Sequence, residues 1–290
     1  MFDFIQIVIS QIIPFIPLAY AATISYNILR ATDLTLDGSF VLGAGIYALM
    51  LSNGVNPLLA ATCSLGAGFT SGIMVGLIQW QNKIDSLLAG ILASFMLVPI
   101  NLLIMGKPNI NLIGHDNYLS NVLNVNPNVG YLIVAVFSLG ICLIAYIILN
   151  VRIGLYLRGL GENQNLLMKL GYSSEAYKVF GFGLTNMLAA SSGVLTTQCV
   201  GYADINMGFG MTLTAIAAII IGYQLLFRLL STTVKIIHFE IISSLCGIVI
   251  YFTMVNLLLR FDVNPLYLKL FLSIILILFM RLSTFRRNLI

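Results

Sequence analysis

Charge is scarce in this chain. Only 8% of its 290 residues are Asp, Glu, Lys or Arg, while 59% are hydrophobic. A water-soluble domain carries about 25% charged residues, so a soluble globular fold is excluded. Histidine is scarcer still: His115 and His238 are too few and too far apart for a metal site. Cys63, Cys142, Cys199 and Cys246 are widely separated, with no CxxC spacing, and read as small buried hydrophobes. No GxxxxGK[ST] loop occurs, so no ATP site is expected on this chain. No cofactor is expected either.

What the chain has is apolar sequence in long runs. Crossing ~30 Å of hydrocarbon takes about 20 helical residues. The runs are continuous rather than alternating at period two, which favours helices over a barrel. About nine spans are predicted: Phe4–Asn27, a short Gly38–Ser52, Pro57–Gln79, Ser86–Met105, Asn128–Leu149, Tyr177–Cys199, Met211–Leu229, Lys235–Asn256 and Asn264–Arg281. The first could be mistaken for a cleaved signal, with Ala19-Tyr20-Ala21 imitating a cleavage site. It lacks a basic start and carries Pro14 and Pro17, so it is read as a retained span.

The net charge of +4 reads as orientation rather than as a nucleic-acid patch. With the C-terminus inside, alternation places Arg30, Lys83, Arg152, Arg158, Lys169, Lys178, Arg228, Lys235, Arg281, Arg286 and Arg287 on the cytoplasmic side. Lys107, Arg260 and Lys269 fall outside. That bias predicts an external N-terminus.

Two segments resemble each other, Asp33-Leu-Thr-Leu-Asp-Gly-Ser-Phe and Asp204-Ile-Asn-Met-Gly-Phe-Gly, each opening a short apolar helix. Their aspartates are 171 residues apart (204 − 33), and the same shift carries the first four spans close to the last four. Five spans separate the copies, which predicts an inverted-topology repeat. On this reading residues 1–105 are the first half, 128–149 a connector and 177–281 the second half, all within one transmembrane domain, 1–290. A pathway between halves is expected near the broken helices, where Asp33, Asp37 and Asp204 stand. Asp37, before Gly38 and Ser39, reads first as the cap of the second span. Gly68, Gly72 and Gly76, with Gly66 nearby, form a stripe that suits close packing of helices.

Ionisable residues are almost missing from mid-span positions. Glu240 and His238, with Lys235 before them, lie near the cytoplasmic end of the eighth span and read as an interfacial pairing. The longest internal hydrophilic segment starts at Arg152. Within it, Asn163 to Leu170 suits a short helix with Leu166, Leu167 and Leu170 on one face and Gly171 as its C-terminal cap. Two turns of helix are marginal alone, so a partner groove on a peripheral subunit is expected, with the lipid surface as the plainer reading.

At this segment the chain is similar to a known family. GLYLRGLGENQNLLMKLGYSSE resembles the cytoplasmic loop of ABC importer permeases of the branched-chain amino acid and ribose type. TDLTLDGSFVLGAG and NMLAASSGVLTTQCVGYADINMGFGMTLTAIAAIIIG narrow the resemblance to the branch described as tryptophan/tyrosine, or uncharacterised, ABC transport permeases. The resemblance covers nearly the whole chain. It implies a permease dimer, an ABC ATPase subunit docked on the loop, an external solute-binding protein and ATP hydrolysis on a separate chain. By resemblance, Gly154, Leu155, Arg158, Gly161, Asn163 and Gly171 match the coupling loop. Asp33, Asp37, Gly38, Ser39, Asp204, Met207 and Gly208 match the two pathway motifs. The chain departs from the family at Gly159, where alanine is usual, at Leu166-Leu167-Met168, and at Tyr223, where the branch tends to be acidic.

The expectation is therefore an all-α polytopic protein of the cell (inner) membrane. It is the permease subunit of an ABC importer for a small solute of amino-acid or related type, and not an enzyme. The alternatives are an ion-coupled secondary carrier using Glu240 and His238, and a membrane-embedded enzyme or scaffold. The latter needs clustered polar side chains within the bilayer.

Overall fold

The computed structural model describes residues 2–112, 126–169, 171–229 and 236–264, with single helical positions between 267 and 277. Helices form where the apolar runs predict them. Helix α1 (Phe2–Thr23) ends in a π-turn (Ile24–Ile28), followed by α2 (Thr35–Ser52), α3 (Pro57–Ile78) and α4 (Ser86–Met105). A short strand β1 (Asn109–Asn111) precedes α5 (Pro127–Asn150), and two short helices follow, α6 (Arg152–Glu162) and α7 (Gln164–Lys169). Helix α8 (Ser174–Val200), strand β2 (Tyr202–Asp204), α9 (Met211–Leu229) and α10 (Ile236–Arg260) complete the order. Among the described residues, seven helices are long and apolar enough to cross a membrane, and Met211–Leu226 is a shorter apolar helix. The ninth predicted span lies largely outside the described residues.

The helix ends follow local chemistry. Asn56 caps α3 by accepting from Leu58 N at 2.9 Å, with Pro57 opening the helix. Asp85 caps α4 through Leu87 N at 3.1 Å, and Gly106 closes it at φ +68. One proline of α1 frees a backbone carbonyl that another helix then satisfies. Pro17 has no N–H for the Ile13 carbonyl, and Ser138 of α5 donates to it at 2.9 Å. Ser192 of α8 donates to the Pro14 carbonyl at 2.6 Å.

Residues 13–212 form one compact unit, and residues 1–12 with 213–290 form another. In the first unit α8 is central, packed on α2 and α3, while α2 also packs on α4. The predicted glycine stripe is the α3–α8 seam. A Cβ on Gly72 would collide with the Phe182 carbonyl, and one on Gly76 would lie 2.6 Å from Val179 Cα. Gly66 faces open space and takes no part. In the second unit α9 and α10 cross at their backbones, where a Cβ on Gly222 would meet the Ser243 carbonyl and one on Gly247 the Ala218 carbonyl. There Asn256 donates to Gln11 at 2.8 Å, and Arg260 sits 5.8 Å from the Phe4 ring centroid.

One expectation is corrected. Cys63 is exposed and the other three cysteines are half-buried, so none is a fully buried hydrophobe. The outer faces of α3, α4 and α5 carry Leu58, Phe95, Leu103, Leu132 and Leu143 in the same exposed state. Lipid is as apolar as these side chains and exacts no cost for their exposure.

Candidate functional site

The chain between the π-turn and α2 places Asp33 at 2% exposure. Its Oδ1 accepts from the backbone N–H of Thr35 at 2.9 Å and from the Thr35 hydroxyl. Its Oδ2 accepts from Asn186 Nδ2 of α8 at 2.9 Å. No cation is among these partners, and burial pushes the Asp33 carboxyl above its usual range against the opposing hydrogen bonds of Thr35 and Asn186. Asn186 is the hub. Its Nδ2 also donates to the Phe182 carbonyl at 2.9 Å, and its Oδ1 accepts from Ser39 at 2.6 Å and from Thr35 at 3.1 Å. Ser39 lies 2.8 Å from Ser71 of α3. Five polar side chains from α3, α8 and the start of α2 thus form one buried network.

Asp37 does not cap α2, which already begins at Thr35. Its carboxylate reaches the first residues of α9 instead. Oδ2 accepts from Gly210 N at 2.9 Å, and Oδ1 from both the backbone N–H and the hydroxyl of Thr212 at 2.6 Å. A carboxylate at a helix N-terminus satisfies unpaired N–H groups and opposes the positive end of the dipole. The turn tightens here because Gly208 packs on α2, where a Cβ would collide with the Asp37 carbonyl. Gly38 packs against Leu97 of α4, 2.7 Å from a Cβ placed on it. Asn101 of α4 donates to the Gly38 carbonyl at 3.0 Å.

Asp204 repeats the local geometry of Asp33. Its Oδ1 accepts from Asn206 N at 2.8 Å, the same i+2 turn, and its Oδ2 accepts from Asn109 at 3.2 Å. Met207 contributes its sulfur, which accepts from Asp204 N at 3.4 Å. Strands β1 and β2 pair antiparallel, with Asn109 opposite Asp204 and Asn111 opposite Tyr202. The loops after α4 and α8 therefore share one end of this unit.

The loop predicted to meet a partner packs on the π-turn that follows α1. It forms two helices, with Asn163 extended between them at φ −157. Gly154 lets α6 start against the end of α5, since a Cβ there would collide with the Leu149 carbonyl. Arg158 donates to that same carbonyl, placing a cation at the negative end of α5. Gly161 packs on the π-turn, where a Cβ would collide with the Ile28 carbonyl. Gly171 closes α7 at φ +82, with its N–H on the Met168 carbonyl at 3.0 Å and Tyr172 N on that of Leu167 at 3.1 Å.

The expected docking face needs revision at one residue. Leu167 is only 4% exposed, turned inward beside Gly159, so the chain itself fills that position. The side chains of Leu166 and Leu170 lie outside the described residues, as do Lys235 and the side chains of His238 and Glu240. The apolar surface that remains open carries Leu155 at 64% and Met168 at 47% exposure. Tyr172, also exposed, has its ring 4.4 Å from that of Tyr156.

Sequence reasoning missed Thr35, Ser71, Asn186 and Thr212. The available signal was polar side chains inside or at the ends of apolar spans, and in a membrane such residues need partners. It does not say which partners.

Helices of this length and apolarity, packed through glycine seams, define a multi-pass helical membrane protein. The family model described as "Branched-chain amino acid transport system / permease component" matches residues 4–280. An uncharacterised protein of Rickettsia prowazekii (RP368) is 39% identical over 280 residues, covering 97% of each chain. The tyrosine transport system permease protein of Clostridioides difficile is 35% identical over 266 residues, 91% of this chain and 85% of that one. The ribose import permease protein of Escherichia coli K12 is 23% identical over 193 residues, 66% and 60% of the two chains. The chain belongs to the branched-chain amino acid transport system permease family and is a transmembrane permease subunit of an ABC importer for a small solute, not an enzyme.

Proposed function

We propose that the imported solute is an amino acid or a close relative of one. The tyrosine permease supports this, being similar along 91% of the chain, whereas the ribose permease is similar along 66%. The chain works as two inverted halves, 1–105 and 177–281, joined by 128–149. The matching i+2 turns at Asp33 and Asp204, 171 residues apart, support that repeat. Asp33, Asp37, Gly38, Ser39, Asp204, Met207 and Gly208 border the pathway, and alternating access comes from the halves moving about it. The N-terminus is outside and the C-terminus cytoplasmic. An external binding protein delivers the solute, and a second permease copy completes the membrane unit.

An ABC ATPase subunit docks on α6 and α7. The observation that carries this reading is the apolar surface left open by Leu155 and Met168 on helices of eleven and six residues. Helices so short are marginal without a partner. Replacing Leu155 or Met168 with Asp places a carboxylate in that contact without burying a charge in the permease. Losing a docking anchor costs about 2–4 kcal/mol, or roughly 30- to 1000-fold in affinity. Copurification of the co-expressed ATPase should fall accordingly at unchanged permease yield. Undiminished copurification of both variants sinks the docking assignment.

A further inference from the structure

We propose that the π-turn Ile24–Ile28 is the joint that carries movement of α6 to the Asp33 loop, with Gly161 as the positioning residue. The inference rests on the reading of α6 and α7 as the ATPase-docking loop.

Three observations meet at this turn. First, its hydrogen bonding has slipped one residue: Leu29 N donates to the Ile24 carbonyl at 2.9 Å. Ala31 N continues to the Ser25 carbonyl at 3.0 Å, and the Ser25 hydroxyl donates back to the Ala31 carbonyl at 2.6 Å. The chain leaves through Arg30 at φ +49, the left-handed region that a non-glycine residue seldom occupies. A π-turn holds one residue more than an α-turn, and a shift of its hydrogen bonds by one register is the movement assigned to it.

Second, α6 bears on this turn backbone to backbone. Gly161 faces the Ile28 carbonyl with no room for a Cβ. Leu29 and Leu157, both buried, meet over Gly181 of α8, whose added Cβ would lie 2.8 Å and 3.2 Å from their methyls. A shift of α6 therefore cannot pass the turn without displacing Ile28 or Leu29, because close-packed contacts transmit rather than absorb strain.

Third, the far end of the segment is tied down. Three residues after Arg30, Asp33 is held by Thr35 and by Asn186 of α8. Movement of the turn arrives at the start of α2 and at the polar network on α8 and α3. The π-turn thus lies between a surface that faces the partner and the residues at the pathway.

The test uses the assembled importer with its ATPase, purified in nanodiscs, with Cys63, Cys142, Cys199 and Cys246 replaced by serine. A fluorophore sits on Tyr26→Cys, an exposed position of the turn. The probe ligand is ATP with vanadate, so no transported solute is needed. The fluorophore should respond on trapping, and Gly161→Ala should reduce that response at least about fivefold, as for an ordinary allosteric coupling. The responses are compared between complexes of equal ATPase content. Gly159→Ala is the control, since its Cβ would meet only Leu167 side-chain atoms at 3.6–3.8 Å, and it should keep the response. Should Gly161→Ala fail to assemble, Ser25→Ala removes the hydroxyl that closes the turn and should reduce the response in the same way. A full response in Gly161→Ala or Ser25→Ala, or an equal loss in Gly159→Ala, overturns the inference. So does a silent fluorophore in an intact complex, which leaves the docking reading standing. Copurification insensitive to Leu155→Asp and Met168→Asp overturns the docking reading instead.

Discussion

Asn186 decides how a buried carboxylate is tolerated. Asp33 has no cation among its partners, and its Oδ2 depends on the Asn186 amide at 2.9 Å. Replacing Asn186 with Leu removes that donor and also the amide oxygen that accepts from Ser39 and Thr35, leaving Thr35 only Asp33 and Ser39 only Ser71 as partners. An unsatisfied buried polar group costs about 1–3 kcal/mol. Asn186→Leu should lower the melting temperature of the purified permease, and Asp33→Asn in that background should recover part of the loss by removing the stranded charge. Because the residues touch, their effects should not add. If the double variant is as unstable as the sum of the singles, the network does not work as a unit. Asp37 is a different case. It was legible as a capping residue, yet it caps the first turn of α9 rather than its own helix. Capping chemistry is written in residue type, while the helix that receives it is chosen by the fold.

At the scale of elements, α3 and α8 are held by contact of backbones rather than by large side chains. Gly72 abuts the Phe182 carbonyl, and Gly66, six residues earlier on the same helix, faces open space. Gly72→Ala should cost about 1–3 kcal/mol by forcing the helices apart. Gly66→Ala should change stability by less than about 0.5 kcal/mol. Thermal unfolding in one detergent compares them, and equal shifts would refute the seam. The four-residue spacing of the stripe was visible in the sequence because small residues recur on one helix face. Its partner, α8, was not visible, because spacing describes a face and not what covers it. Leu167 shows the same limit. Its apolar character suits either an external groove or an internal one, and the fold turned it inward beside Gly159.

For the whole molecule, the pairing of β1 with β2 and the contact of Gly161 with Ile28 sort the loops of residues 13–212 into two ends. The distribution of Lys and Arg then predicts which end is cytoplasmic. In a cysteine-free background, an impermeant maleimide on intact cells should label Lys107→Cys and spare Lys169→Cys, both exposed positions. The reverse labelling would invert the orientation and remove α6 and α7 from the cytoplasm. Sequence alone determined where the helices run: α4 and α9 begin and end at the predicted residues, and α2 begins three residues before the predicted start. That is legible because the thickness of a bilayer sets the length of an apolar run, and the run is local in the chain. The tertiary structure decided which polar residues meet. Asp33 and Asn186 are 153 residues apart, and Asp37 and Thr212 are 175 apart. Within a membrane a polar side chain must find a partner, but any nearby polar group satisfies that demand, and only helix packing selects one.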